Sequence, residues 1–253
     1  MSPRPAPTLA ESLAAAQEWW REAGVDYAYS DEPAAWLVDE APPPEPARAG
    51  PAVAAPTAPR QPERPPVGGD KANWPTDLAA FRSWWLDEPT LDEGGLHPRI
   101  APRGEPDAAV MLLVTMPEAE DRDGLLTGPQ GRMLGSFAQA AGISSGDLAL
   151  ASALPRHMAL PDWEALATRG HGEVLQHLLG LMRPRRLIVF GRGILSLLGH
   201  SPTQLAPAVS ELSIQGRPLP LLWTYAAENL LKESRDRAAL WRRWLEWTND
   251  ESA

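Results

Sequence analysis

Residue types able to do chemistry are few in this chain, and they are scattered. One acidic run, Glu118, Glu120, Asp121 and Asp123, has the composition to hold a divalent cation or to supply a general base. It follows an apolar run, where an α/β protein places a functional loop; a solvated loop is the plainer expectation. Histidines stand at 97, 157, 171, 177 and 200. The spacing of His171 and His177 is neither i, i+3 nor i, i+4, so a helix would not present them as a metal pair. All five are expected at the surface or at a cleft lip. Gly191-Arg192-Gly193 follows a second apolar run, and backbone N–H groups at a helix start can cradle phosphate. Ser196, however, occupies the place of the third glycine of a dinucleotide fingerprint. A tight strand-to-helix turn is expected there instead. The chain has no cysteine, which removes disulfides, thiolate nucleophiles, Cys-ligated zinc and iron–sulfur clusters together. No metal and no cofactor are expected.

The chain has 253 residues and a net charge of −10. Residues 1–41 carry −6 of this, residues 42–67 carry +1 and the remainder −5. A duplex-binding protein usually has a basic footprint, and this one has none overall. Two local clusters, Arg183/Arg185/Arg186 and Arg235/Arg237/Arg242/Arg243, are expected to be a solvated helix end and a solvated helix face. Met1 to Pro7 lacks the charged and apolar regions of a signal peptide, and no run reaches the roughly 18 apolar residues of a membrane span. A cytoplasmic location without membrane contact is expected.

Proline marks the boundaries. Ten of the 28 prolines fall between Pro42 and Pro66, among Ala, Arg and Glu. Such a composition buries too little apolar surface to offset ordering and favours extended chain. Residues 42–70 are therefore read as a linker, between an N-terminal module at 1–41 and a main domain at 71–248. In the module, Thr8-Leu9-Ala10-Glu11 forms a capping box, and Leu9, Leu13, Ala16 and Trp20 follow at helical spacing up to Gly24. Beyond it lie Val25-Asp26-Tyr27-Ala28-Tyr29 and Trp36-Leu37-Val38. About forty residues cannot build much core, and Trp and Tyr are the residues that most often carry interface energy. Trp19, Trp20, Gly24, Val25, Tyr27 and Tyr29 are accordingly the candidate partner-binding residues.

In the main domain, a helix over 76–86 precedes four apolar runs, at 109–115, 147–153, 186–190 and 218–223. Helical stretches near 129–141, 162–182, 192–198 and 234–248 follow them. Near-continuous apolar strands alternating with helices predict a parallel sheet covered on both faces. The expected fold is a three-layer α/β/α sandwich with a four-stranded parallel sheet. Trp241, Trp244 and Trp247 are expected to pack on it.

Several blocks of this domain resemble the uracil-DNA glycosylase superfamily, especially its iron–sulfur-containing, family-4-like branch. Glu105–Val114 is similar to that family's first strand. Met116–Asp121 and Gly124–Gly131 stand where it has its Gly-Glu-x-Pro-Gly and Pro-Phe-Val-Gly loops. Leu181–Gly191 is similar to its stretch ending I-V-x-x-G, and Thr224–Leu231 is placed like its His-Pro-Ser/Ala-x-x-Leu motif. The resemblance implies a pocket that takes a flipped base, and the residues in that pocket depart from the family. Thr115 stands for the acidic residue of the first loop, Leu126 for the stacking aromatic, Ser152 for the Asn that reads the base and Ala226 for the His that stabilises the leaving anion. A leucine offers no aromatic face and an alanine donates no hydrogen bond. The family's cluster cysteines are also missing. These four positions are read as a vestigial pocket, and no catalytic residue is assigned.

Two shorter stretches, Trp19–Tyr27 and Leu230–Trp241, resemble the psi subunits of bacterial DNA polymerase III. That family implies an adaptor whose flexible N-terminal segment binds the clamp loader and whose domain binds the chi subunit. The expected function is a catalytically inactive adaptor in DNA replication or repair. The alternative is a divergent glycosylase with relocated catalytic groups drawn from Glu118, Asp121 or Glu228.

Overall fold

The structure is a computed structural model that describes residues 8–22, 65–199 and 208–249. Gly24, Val25, Tyr27 and Tyr29, together with residues 23–64 in which most of the Pro-rich stretch falls, lie outside the described residues.

The chain divides into two units, Met1–Pro59 and Arg60–Ala253. In the first unit, helix α1 spans Leu9–Glu22. The capping box closes as the sequence predicts. The Thr8 backbone N–H donates to Glu11 at 2.7 Å, and the Glu11 N–H donates to Thr8 Oγ1 at 3.3 Å. Two N–H groups that the helix leaves unpaired are thereby satisfied.

The second unit is an α/β domain around a five-stranded sheet in the order β2-β1-β3-β5-β4. The strands are β1 (Val110–Val114), β2 (Leu148–Ser152), β3 (Arg186–Phe190), β4 (Ala208–Ile214) and β5 (Arg217–Thr224). β2, β1, β3 and β5 run parallel, in register from Val110↔Leu148 and Val110↔Arg186. The four-stranded expectation is corrected by β4, which pairs antiparallel with β5 at the edge of the sheet. The hairpin joining them turns at Gln215 (φ 51) and Gly216 (φ 79). Two successive positive φ values define the tight turn whose twist matches the flanking strands. Gln-Gly is a weaker turn signal than Asn-Gly or Asp-Gly, and the start of β4, Ala208-Val209-Ser210-Glu211, shows no apolar–polar alternation.

Helices cover both faces. Alternate strand residues point to opposite sides, so each strand feeds two cores. Met111, Leu113, Ala149, Ala151, Leu187 and Val189 belong to one. It is covered by α2 (Leu78–Asp87), α4 (Trp163–Thr168), α5 (His171–Met182) and α6 (Arg192–Leu197). Val110, Leu112, Val114, Leu150, Ile188 and Phe190 belong to the other. There α3 (Pro129–Ala140), α7 (Ala227–Lys232) and α8 (Ser234–Asn249) close the core, with Trp244 and Trp247 buried and Trp241 half-buried. The helix expected over 162–182 is broken at Gly170, whose φ of +100° suits glycine and few other residues. Packing of this unit starts before residue 71: Val67 is buried in the first core, and the Trp74 indole donates to Gly68 O at 2.7 Å. Among the described residues no helix is long and apolar enough to cross a membrane.

Candidate functional site

In an open parallel sheet, ligands bind beyond the carboxyl ends of the strands, where the strand order reverses. With the order β2-β1-β3, that reversal lies between β1 and β3. Thr115 leaves β1 at this point, and Gly191 leaves β3. A Cβ placed on Gly191 would sit 2.6 Å from Thr115 Cγ2 and 3.7 Å from Ala226 Cβ. Thr115, Gly191 and Ala226 therefore close on each other at the strand ends. Gly191 also has φ +115°, so both its backbone and its neighbours exclude a side chain. Ser152 is buried and donates its hydroxyl to Leu154 O at 2.7 Å. Leu126 has a φ of 58° and lies inside the second core. The structure brings Thr115 and Ala226 near one another and turns Leu126 and Ser152 inward. Four surface cavities stand out, and none is lined by any of these four residues.

The expectation of a solvated acidic loop is corrected for two of its members. Glu118 and Asp121 are buried. Glu118 accepts hydrogen bonds from the backbone N–H groups of Gly128 (3.1 Å), Gln130 (2.9 Å) and Gly131 (2.9 Å). It thereby caps the start of α3, whose own N-cap residue, Gly128, has no side chain to offer. Asp121 accepts from the N–H groups of Glu118 (2.8 Å), Leu126 (2.9 Å) and Thr127 (2.8 Å) and from the Thr127 hydroxyl (2.6 Å). Buried carboxylates persist where such bonds replace lost water. These two knot the 118–131 loop and are committed to it. Glu228, the third candidate of the enzymatic alternative, is exposed and pairs with Lys232 at 2.6 Å.

His171 corrects a further expectation, because it is buried rather than at a lip. The break at Gly170 starts a new helix, and its first residue points inward. His171 Nδ1 lies 3.1 Å from Leu166 O and Nε2 lies 3.1 Å from Leu91 O. Burial pushes the imidazole below its ordinary pKa, and the two carbonyl contacts offset only part of that. Nearby, Asp92 bridges Arg99 (3.0 Å) and Arg156 (2.8 Å). Burial raises the Asp92 carboxyl, but hydrogen bonds from the two guanidinium groups outweigh this and hold it below its usual range. Leu91, Asp92, Arg156 and His171 all face a cavity of about 320 Å³. His177 is half-buried, with Nε2 2.7 Å from Pro75 O and its ring edge-on to Trp74. Gly193 belongs to packing rather than phosphate binding: a Cβ there would lie 2.2 Å from the Trp163 ring.

The arginine clusters expected to be solvated are mostly so: Arg183, Arg185, Arg235, Arg237 and Arg242 are exposed, and Arg186 and Arg243 are half-buried. Arg183 pairs with Asp107 at 2.7 Å, Arg186 sits 5.6 Å over the Trp247 ring, and Arg237 bonds the carbonyls of Leu230 and Leu231. Sequence reasoning missed a different basic site. Arg82, Arg99, Arg103 and Arg122 line one groove of about 690 Å³. They come from α2, from the segment at 99–105 and from the loop after β1, so no local spacing announces them.

In the first unit, α1 buries none of its side chains. Leu9, Leu13, Ala16 and Trp20 recur at i, i+4, i+7 and i+11 and so form one stripe. Leu9 is 88% exposed, Leu13 59%, Trp19 61% and Trp20 52%. Glu11, Glu18 and Glu22 align on the opposite face. No protein-family model matches the chain, and no curated protein matches it either.

Proposed function

We propose that this protein is a non-catalytic adaptor of DNA replication or repair. Its α/β domain is of the uracil-DNA glycosylase type and carries a docking helix on a Pro-rich tether, in the manner of a psi subunit. The observation that carries this reading is α1, a capped helix with an open Leu/Trp stripe. Anchors at i, i+4, i+7 and i+11 suit a helix laid into a partner's apolar groove. Tryptophan is the side chain that most often dominates such contacts. The proposed partner of α1 is the DNA polymerase III clamp loader, and the domain would engage a second protein such as the chi subunit. A tether joining two binding elements raises the effective concentration of each partner near the other.

The strand ends support the non-catalytic half of the proposal. Thr115 and Ala226 offer neither a general acid nor a general base, and Glu118 and Asp121 are spent on backbone N–H groups. Capture of clamp-loader subunits by the full chain, compared with Leu13→Ala/Trp20→Ala, tests the docking helix. Undiminished capture by the double variant sinks it. Release of free uracil from uracil-containing DNA by the purified chain sinks the non-catalytic claim.

A further inference from the structure

We infer that the arginine groove is a second docking site, and that its occupant is an extended acidic peptide with apolar anchors, carried by a partner protein. The inference goes beyond the docking helix and does not use it.

The charge inside the groove runs against the charge of the whole chain. Its lining carries four arginines and two carboxylates, Glu105 and Asp123, in a protein whose net charge is −10. Three of the guanidinium groups have no acid partner among the described residues. Arg82 donates to the carbonyls of Pro102 and Gly104. Arg122 donates to Ala119 O and Asp121 O, both at 2.8 Å. Arg103 is exposed, and among the described residues its side chain has no hydrogen-bond or ion-pair partner. The fourth, Arg99, shares the single carboxylate of Asp92 with Arg156. Carbonyl contacts fix Arg82 and Arg122 in place without cancelling their charge. Such groups are already ordered for an incoming anion and retain free donors for it.

The apolar part of the lining selects the kind of anion. Leu86, Ile100, Ala101, Pro102 and Leu125 line the groove between the charges. Leu86 is 42% exposed. No aromatic ring lines it: Trp85, beside Leu86 in sequence, is buried and its indole N–H donates to Ile100 O at 2.9 Å. A nucleic-acid strand would need a stacking platform for its bases. A peptide alternating acids with aliphatic side chains needs cations and apolar contact, and the groove supplies both.

The test uses the full chain and a fluorescein-labelled peptide of repeated Asp-Asp-Leu units, followed by fluorescence anisotropy, with labelled oligothymidylate as the second probe. The peptide is expected to bind more tightly than the oligonucleotide, and to bind more weakly as salt is raised. Arg103→Glu changes an exposed, unpartnered side chain and is expected to weaken peptide binding by about tenfold. Arg122→Ala should act in the same direction, while Arg185→Glu in the exposed turn between α5 and β3 should leave affinity unchanged. Trp20→Ala should also leave it unchanged, which separates failure of this site from failure of the docking helix. Absence of peptide binding, indifference to Arg103→Glu, or preference for the oligonucleotide overturns the inference.

Discussion

Glu118→Ala separates a structural carboxylate from a catalytic one. The side chain is buried and holds three backbone N–H groups at the start of α3. Truncation leaves all three without an acceptor. A buried donor left unpaired costs about 1–3 kcal/mol. Gln130 and Gly131 are only part-buried, so water can reach some of the vacated space, and the lower end of that range applies. Three donors at about 1 kcal/mol each, plus about 0.5 kcal/mol for the lost negative charge at a helix N-terminus, give a loss of ~3–4 kcal/mol. For a domain of this size each kcal/mol moves the melting temperature by about 2–4 °C, so a drop of roughly 10 °C is expected. Urea denaturation followed by tryptophan fluorescence measures the loss directly, and the slope of the transition should stay at its wild-type value. Glu118→Gln keeps one acceptor oxygen and should lose about half as much. A Glu118→Ala protein that melts within about 2 °C of wild type would falsify the loop-clamp account. It would also return Glu118 to the catalytic candidates.

Further outcomes follow from the same geometry. Asp92→Asn leaves the buried Arg99 and Arg156 guanidinium groups without a counter-charge and should cost about 3–5 kcal/mol in a denaturation experiment. The Asp92 carboxyl lies below its ordinary value of 3.8 in the folded chain, so its contribution is full above that pH and is lost as pH falls through the folded value. His171 has the same direction of shift but the opposite charge type. Its folded pKa lies below the ordinary 6.5, so the unfolded chain takes up the proton more readily, and stability should fall as pH drops below that value. Stability measured between about pH 7 and pH 5 should decline less steeply in His171→Gln than in wild type. Gly191→Ala places a methyl group against Thr115 at a positive φ and should destabilise by about 1–3 kcal/mol, with Gly191→Ala/Thr115→Ser recovering part of the loss.

The parallel core of the fold is legible because its strands are buried on both faces. Runs such as Val110–Val114 and Arg186–Phe190 are nearly all apolar, and each is followed by a helix of the right length. β4 is not legible in the same way, because only Leu212 and Ile214 face the core while Ser210, Glu211 and Ser213 face solvent. The strand also resolves a difficulty within β5. Pro218 and Pro220 would break the middle of a sheet. Within β5, β3 reaches only Leu221–Thr224, so among the described residues the first half of β5 has β4 as its strand neighbour. In a two-residue hairpin the residues flanking the turn, Ile214 and Arg217, exchange hydrogen bonds, and bonded pairs then alternate. Pro218 and Pro220 fall opposite Ser213 and Glu211 at the unbonded positions. Their missing N–H groups cost the ladder nothing.

The site was legible by type and illegible by direction. Sequence gives the identities of Thr115, Leu126, Ser152 and Ala226, none of which is a carboxylate or a histidine. It does not reveal that Glu118 and Asp121 turn inward, because a carboxylate reads as solvated until its acceptors' partners are known. The inward turn depends on Gly128 and Gly131. A Cβ at Gly128 would lie 2.7 Å from Glu118 Oε2, and one at Gly131 would lie 1.8 Å from Leu126 O. Two glycines thus let the backbone close around two acids, which leaves Glu118 and Asp121 bound to the loop and only Glu120 and Asp123 exposed at the end of β1. The arginine groove shows the converse. Arg82, Arg103 and Arg122 are widely spaced in the chain; the antiparallel contact of Arg103 with Leu150 lays the 99–105 segment along β2, and the Arg82 bonds to Pro102 O and Gly104 O hold α2 against that segment.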